Sequence, residues 1–249
     1  MLSEGKKLNK LEEKKRLRAL PVLERPKTVR LKFQKIGTLQ YISHLDLQRT
    51  FNRVLVRACI PTWYTKGFNP HAKMVFALPL PVGVQSVCEL LDVKIDKEIA
   101  CEDIKELLND ALTDELKVLE VYSPESKFSA IAKAKYSIEL SSVSASESLA
   151  ERINTFFSQE EVLMKKHTKS GEKEINIIKM IYDISAKYCP ECNKICIDAL
   201  LSAGTESLNP EFIISSLRAY GILPSVSLTE ESYEIVRTAI FDADGKEYK

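Results

Sequence analysis

Several features that would assign a function directly are missing from this sequence. No apolar run approaches the roughly 18 residues that a membrane-spanning helix needs. The N-terminal region is charged and has no apolar core of the kind that signal peptides carry. The chain has only eight glycines, and none of them belongs to a Walker or dinucleotide-binding loop. These absences argue against a membrane protein, a secreted protein and a nucleotide-dependent enzyme, and a cytoplasmic location is the expectation.

The basic residues are concentrated at one end of the chain. The 249 residues carry a formal net charge of +1. Residues 1–73, however, hold 17 lysines and arginines against five acidic residues, a net charge of +12, and the remainder carries −11. Clustered cations bind phosphate backbones by releasing counterions, so this asymmetry favours a polyanion partner. A solvated basic surface without a partner is the alternative.

Periodicity predicts an α+β protein made of two tandem ferredoxin-like (β-α-β-β-α-β) units with antiparallel sheets. Residues 1–27 are expected to form a basic N-terminal arm that ends in a proline stop. The first unit is predicted over residues 28–125 and the second, from a weaker pattern, over residues 130–249. Residues 175–184 suit a strand and a helix equally well. The other predicted strands are Thr28–Lys35, Lys73–Leu78, Cys88–Ile95, Leu116–Tyr122, Ala134–Leu140, Glu161–His167, Lys194–Leu201 and Tyr233–Ile240, and the helices are Ser43 to about Cys59, Cys101–Leu112, Ser144–Phe157 and Asn209–Tyr220.

The helix that begins at Ser43 carries a stripe of cations. Ser43-x-x-Asp46 fits a capping box in its acidic form, which places the start of the helix. Arg49, Arg53 and Arg57 recur every four residues and therefore share one face. Like charges at this spacing repel mildly, and a face that served only for solvation would usually include acids. The stripe is predicted to contact phosphates.

A turn with aromatic neighbours follows this helix. Gly67-Phe68-Asn69-Pro70-His71 is a turn by composition, because Gly and Asn tolerate positive φ and Pro fixes the next φ. Phe68 lies near Trp63 and Tyr64, with Lys66 and Lys73 beside them. Aromatic side chains among cations can stack unpaired bases. Equally, the aromatics can be core residues of a hairpin.

Two of the three histidines, His44 and His71, fall in the basic third of the chain. One hypothesis places them in one site, at a common end of the sheet, with Asp46 or Asn69 orienting an imidazole. Such a pair could act as general acid and base on a ribose 2′-hydroxyl or bind a phosphate. The alternative is that His44 helps to cap its helix and His71 only fills a turn.

Cys189, Cys192 and Cys196 have a spacing that suits a chelate. A zinc knuckle needs a fourth ligand, and His167 is the remaining histidine. Cys196 also falls in the inward register of a predicted strand, where cysteine acts as a small hydrophobic residue. The three cysteines are therefore candidate metal ligands, with reduced structural thiols as the alternative.

The stretch from Lys35 to Asp92 resembles the radical-SAM-linked protein family, a bacterial domain of unknown function. This domain is found fused to B12-binding radical SAM proteins or encoded beside them. The chain itself lacks the Cys-x3-Cys-x2-Cys motif of a radical SAM cluster, so no cofactor is expected in it. The matching residues are Lys35 and Gly37, Ser43-His44-Leu45-Asp46, Arg49, Arg53 and Arg57, Gly67-Phe68-Asn69-Pro70-His71, Leu80-Pro81-Val82-Gly83, and Glu89 with Asp92.

The resemblance implies RNA-related work beside a radical SAM protein. We therefore expect an RNA-binding accessory module that acts in rRNA or tRNA modification or processing. The alternatives are an RNA-acting enzyme that uses His44 and His71, with Asp46 as a further catalytic candidate, and a docking subunit that contacts no nucleic acid. The predicted nucleic-acid or anion-binding residues are Ser43, His44, Arg49, Arg53, Arg57, Lys66, Phe68, Asn69, His71 and Lys73.

Overall fold

The structure is a computed structural model that describes residue 12 and residues 15–168, 171–223 and 231–249. It divides into two compact units, Met1–Val82 with Cys88–Ser126 and Gly83–Val87 with Lys127–Lys249. The fold is α+β with mostly antiparallel strand pairing, as the sequence predicts. No helix in the described ranges has the length and apolar character needed to cross a membrane.

Unit 1 has the strand order of a ferredoxin-like fold, β4-β1-β3-β2. β4 pairs antiparallel with β1, and β2 pairs antiparallel with β3. The core is formed by inward residues of β1, β3 and β4 and by one face of each helix. Its elements are β1 (Val22–Lys35), a 3-10 helix (Gly37–Tyr41), α1 (His44–Arg57), β2 (Met74–Phe76), β3 (Val84–Lys97), α2 (Cys101–Asn109) and β4 (Leu116–Tyr122).

The N-terminal segment is more structured than its composition suggests. β1 begins at Val22, six residues before the predicted start at Thr28. Leu17 is buried, and the Lys97 ammonium donates to the backbone carbonyls of Leu17 and Arg18. Residues 15–27 therefore pack on unit 1 rather than form the predicted arm, because their few apolar and main-chain groups find partners there. The rest of that arm lies outside the described residues.

β1 carries a buried ion pair. The Arg30 side chain is fully buried and donates to both carboxylate oxygens of Asp92, at 2.7 and 3.0 Å, and to the carbonyl of Ser126. Lys32 lies 3.7 Å from Glu120 on the neighbouring strand. These two cations are neutralised by partners within unit 1.

Unit 2 repeats the same strand order, β10-β5-β9-β8, with antiparallel pairing throughout. The first residues of β3, Val84–Ser86, belong to this unit and pair parallel with residues 235–237 of β10. Its elements are a 3-10 helix (Phe128–Ala130), β5 (Ile131–Ser142), α3 (Glu147–Phe157), β6 (Leu163–Thr168), β7 (Gly171–Asn176), a 3-10 helix (Ile177–Met180), β8 (Ile181–Cys189), β9 (Lys194–Ser202), α4 (Glu211–Ala219) and β10 (Glu231–Asp242).

The strand predicted at Glu161–His167 is not part of the main sheet. It corresponds to β6, which pairs with β7 in a separate two-stranded sheet. The second sheet strand of unit 2 is β8, which begins inside the ambiguous region at residues 175–184. Unit 2 is thus a ferredoxin-like unit with a β-ribbon inserted after its first helix.

Candidate nucleic-acid interface

The start of α1 is fixed by a capping box, as the sequence predicts. The Ser43 hydroxyl accepts from the Asp46 backbone N–H at 3.1 Å and donates to the Asp46 carboxylate at 2.7 Å. Arg49 donates to the same carboxylate at 3.2 Å. The bond from Ser43, followed by the one from Arg49, lowers the pKa of Asp46 below its ordinary value. Asp46 is therefore occupied by the cap and by Arg49, and it does not orient a histidine.

The cation stripe lies on the exposed face of α1. Leu47, Phe51, Val54 and Leu55 are buried on the opposite face, which holds the helix against the sheet of unit 1. Arg49, Arg53 and Arg57 are exposed. Arg49 is paired with Asp46, whereas the guanidinium groups of Arg53 and Arg57 have no ion-pair partner among the described residues.

The turn after α1 presents a fully exposed aromatic side chain. Gly67 has φ 138°, a conformation that favours glycine, and a side chain there would meet nothing within 4 Å. Phe68 next to it is the most exposed of the large hydrophobic side chains in the described part of the chain. The alternative that Phe68 is a core residue is therefore wrong. Lys66 and Asn69 flank it and are also exposed.

Trp63, Tyr64 and two lysines lie at the base of this turn. Tyr64 is exposed and forms an isolated bridge with Ala72, which closes the loop. The Lys73 N–H donates to the Trp63 carbonyl, and the Lys94 ammonium lies 5.9 Å from the centre of the Trp63 ring.

Lys94 is a cation that the sequence reasoning missed. The outward register of β3, where Val93 is buried, could have identified it.

An open cavity of about 400 Å³ joins the last turn of α1 to this loop. Val56 on α1 and Tyr64 at the loop base both line it. Arg57, the last arginine of the stripe, follows Val56 at this end of the helix. The other lining residues are Leu17, Arg18, Cys59, Ile60, Pro61, Thr62, Asp96 and Lys97.

The structure does not bring His44 and His71 together. The His44 ring packs edge-on against Phe76 at the end of β2, with 5.1 Å between ring centres. His71 precedes β2, and its Nδ1 lies 3.2 Å from the Thr65 hydroxyl and 3.3 Å from the Asn69 carbonyl oxygen. His71 lies five positions before Phe76 in extended chain, a span of about 16 Å.

The direction of α1 explains why the structure does not show the predicted shared histidine site. His44 begins this 14-residue helix, which is about 21 Å long, whereas the connection to β2 leaves its other end. The two histidines therefore lie at opposite ends of β2. His71 lies in the same loop as Phe68 and Lys66, whereas His44 lies at the start of α1, next to the N-cap residue Ser43.

Two further motif residues have a structural explanation. Gly37 has φ 61°, and a side chain there would collide with the Glu115 carboxylate. Thr38 donates to this carboxylate through its hydroxyl and its backbone N–H, and these bonds lower the pKa of Glu115. Asp92 is the partner of the buried Arg30. The resemblance therefore includes residues that hold unit 1 together.

Cys189, Cys192 and Cys196 do not form a metal centre in the structure. Among the described residues, no group of three or more His, Cys, Asp or Glu side chains is placed to hold a metal ion. The side chain of His167 lies outside the described residues. A hydrogen bond from the Cys192 thiol lowers the pKa of Cys189 and raises that of Cys192, and burial raises the pKa of Cys196.

Comparison with solved structures yields only distant similarity. A chain from "Crystal Structure of a Cbf5-Nop10-Gar1 Complex" aligns with 11% identity and a TM-score of 0.43 over 85% of this chain and 48% of that one. This chain thus spans about half the length of that match. An unknown protein from Galdieria sulphuraria aligns with 7% identity and a TM-score of 0.23, over 86% of this chain and 99% of that one. At these scores the similarities support no conclusion about function.

Comparison with known sequences identifies the family. No curated protein matches the chain. Residues 28–210 match a family described as "Uncharacterized protein conserved in bacteria (DUF2344)". The match covers most of both units, including α1, the Gly67 turn and the buried Arg30–Asp92 pair. The chain therefore belongs to this family of uncharacterized bacterial proteins.

Proposed function

We propose that the chain is an RNA-binding accessory module that works with a radical SAM protein in rRNA or tRNA modification or processing. The observation that carries the RNA-binding part is the exposed stripe of Arg49, Arg53 and Arg57 on α1. Arg53 and Arg57 have no carboxylate partner in the described part of the chain. Their charge is therefore available to a ligand.

The guanidinium groups suit phosphate oxygens. An arginine presents planar donors that bind a phosphate with two parallel hydrogen bonds. Successive arginines of the stripe are displaced by about 6 Å along the helix axis, since each residue rises 1.5 Å. The stripe can thus contact consecutive groups of an extended polyanion rather than one isolated phosphate.

The loop after α1 supplies a second kind of contact. Phe68 is fully exposed, with Lys66 nearby, and its ring packs against none of the residues that the structure describes. Aromatic rings stack on bases that are not already stacked in a duplex. This combination favours single-stranded RNA, such as a loop or an unpaired end.

The radical SAM partner is supported by the family resemblance. The chain lacks its own radical SAM cysteine motif, and a module that holds RNA would complement an enzyme that modifies it. Co-purification of the full chain with a radical SAM protein from the same genome tests this part separately. Failure of that interaction leaves the RNA-binding part unaffected.

The RNA-binding part is tested with one charge reversal and a matched control. Arg53→Glu alters the stripe in unit 1, and Arg152→Glu makes the same charge change at an exposed arginine on α3 of unit 2. Fluorescence anisotropy with a labelled single-stranded RNA measures the dissociation constant at several salt concentrations. Both sites are exposed, so each change should alter the free energy of unfolding by at most about 0.5 kcal/mol.

The proposal predicts a difference between the two variants. Arg53→Glu should weaken binding about tenfold, because a charge-assisted hydrogen bond is replaced by repulsion. It should also reduce the slope of log affinity against log salt by about 0.7, the value for one phosphate contact on a single strand. Arg152→Glu should change neither quantity. Equal losses in both variants, or binding that ignores salt, would contradict the proposal.

A further inference from the structure

The turn between β8 and β9 brings two thiols together at the surface of unit 2. Cys189 is the last residue of β8 and pairs with Lys194, so Pro190, Glu191, Cys192 and Asn193 form a four-residue turn. Asn193 has φ 52°, and the Tyr188 hydroxyl donates to its side-chain oxygen at 2.9 Å. The hydrogen bond from Tyr188 thus holds Asn193, the last residue of the turn, in place.

Cys189 flanks this turn and Cys192 lies within it. Hydrogen bonds from Cys192, side chain before backbone, and from the Glu191 backbone lower the pKa of Cys189. The Cys192 sulfur lies 3.9 Å from the Cys189 carbonyl oxygen. Residues three apart in a turn have Cα atoms less than about 7 Å apart, and disulfides form over about the same distance.

We propose that Cys189 and Cys192 are a reactive dithiol that exchanges with small aliphatic disulfides of the glutathione type and closes to a disulfide within the turn. Cys192 is exposed, and Cys189 is partly exposed. Cys189 is the attacking group, because its sulfur receives donors that stabilise a thiolate. Cys192 is the resolving group.

The reaction is a two-electron exchange. The Cys189 thiolate attacks one sulfur of the small disulfide, a protein–small-molecule disulfide forms, and one small thiolate leaves and takes a proton from water. Cys192 then loses its proton to water and attacks the Cys189 sulfur. The mixed disulfide breaks and the second small thiolate leaves. Two protein thiols are oxidised, and one small disulfide is reduced to two thiols.

Cys196 supplies an internal control. It lies in β9 opposite Lys187, between the buried Ile195 and Ile197, so it faces outward and the predicted inward register is wrong. It is only partly exposed and is diagonal to Cys189. The Cα atoms of diagonal neighbours on paired strands are about 7–8 Å apart. This separation is larger than the one expected between Cys189 and Cys192 in the turn. Cys101 in unit 1 is a second thiol of intermediate exposure.

The test uses the full chain, reduced and then incubated with oxidised glutathione. Acid quenching, alkylation and peptide mapping identify the products. We expect the wild-type protein to form the Cys189–Cys192 disulfide before Cys101 is modified. Cys192→Ser should stop at the mixed disulfide between Cys189 and glutathione, Cys189→Ser should lose rapid reaction at the turn, and Cys196→Ser should behave as the wild type.

Three outcomes would overturn the proposal. The first is modification of Cys189 no faster than modification of Cys101. The second is an absence of mixed disulfide at Cys189 in Cys192→Ser. The third is a wild-type disulfide that joins Cys189 to Cys196. Circular dichroism of each serine variant separates a loss of reactivity from a loss of folding.

Discussion

The first helices of the two units occupy the same place in the same strand order but present different charges to solvent. α1 of unit 1 exposes Arg49, Arg53 and Arg57 with the single acid Asp46. The exposed charged residues of α3 in unit 2 are Glu147, Glu151 and Arg152. The buried faces of both helices are apolar. The fold therefore requires only the buried face, and the function is determined by residues that the fold leaves free.

The connection after each first helix differs as well. In unit 1 it is the loop of residues 58–73, in which Phe68 is the most exposed large hydrophobic side chain. In unit 2 it contains the ribbon of β6 and β7, where Lys165 lies 3.8 Å from Glu172 on the facing strand. Lys165 thus has a partner on the facing strand, whereas Lys66 and Phe68 of the loop are exposed. Both differences favour unit 1 as the location of the proposed polyanion surface.

The largest expected effect on stability concerns the ion pairs that brace each unit. Asp92→Asn leaves the fully buried Arg30 without its counter-charge, and an arginine cannot deprotonate to escape the penalty. We expect the free energy of unfolding to fall by about 3 kcal/mol. Urea denaturation monitored by circular dichroism measures it.

The matched change in unit 2 should cost less. Arg218 pairs with Glu231 at 2.6 Å, and the Glu231 side chain is buried, but the Arg218 side chain is 41% exposed, so water can reach the carboxylate once the guanidinium is removed. Arg218→Gln should therefore destabilise the protein by less than Asp92→Asn. Equal costs would show that burial does not distinguish the two pairs.

The next effect is on binding and concerns the aromatic loop. Phe68→Ala should weaken affinity for single-stranded RNA by about 1–3 kcal/mol, the contribution of one stacked base. Fluorescence anisotropy measures it, with unfolding curves to verify that stability is unchanged. Tyr182, an exposed aromatic residue on β8 of unit 2, provides the control. If Tyr182→Ala weakens binding as much, the contacts are not confined to unit 1.

The sequence correctly predicted the elements whose ends are determined by residues close to one another in the chain. β4 has the predicted bounds, and α1 begins where the Ser43 capping box indicates. In unit 1, alternation identified β1 but not its first six residues, where Pro26 and several exposed side chains interrupt the pattern. In unit 2, β6 was predicted as a strand, but β7 was missed because most of its side chains are exposed and it has no apolar period to detect.

Long-range partners could not be inferred from local patterns. Arg30 is a charged residue that is fully buried in β1, and its partner Asp92 is 62 residues away. The histidine pairing failed for a related reason. The sequence placed both histidines near the same helix, but the direction of that helix places His71 at the end opposite to His44. The stripe of arginines on one helix face could be predicted, because residues four apart share a face of any helix.

The smallest expected effect compares the two serine caps. Ser43 accepts from the Asp46 N–H in α1, and Ser146 accepts from the Leu149 N–H at 3.3 Å in α3. Replacing either serine with alanine should lower the free energy of unfolding by about 1 kcal/mol near pH 7, the usual contribution of an N-cap. Thermal or urea unfolding of Ser43→Ala and Ser146→Ala measures both.

Acid pH should separate the two caps. The Ser43 hydroxyl also donates to the Asp46 carboxylate and is the main cause of its lowered pKa, whereas the Ser146 hydroxyl donates to the Ser144 carbonyl. A carboxyl whose pKa is lower in the folded state stabilises the protein above its ordinary pKa near 4, and that contribution disappears as pH falls through the lowered value. The cost of Ser43→Ala should therefore shrink between pH 7 and pH 3, while the cost of Ser146→Ala stays constant. If both costs change in parallel with pH, the bond between Ser43 and Asp46 does not stabilise the charged carboxylate.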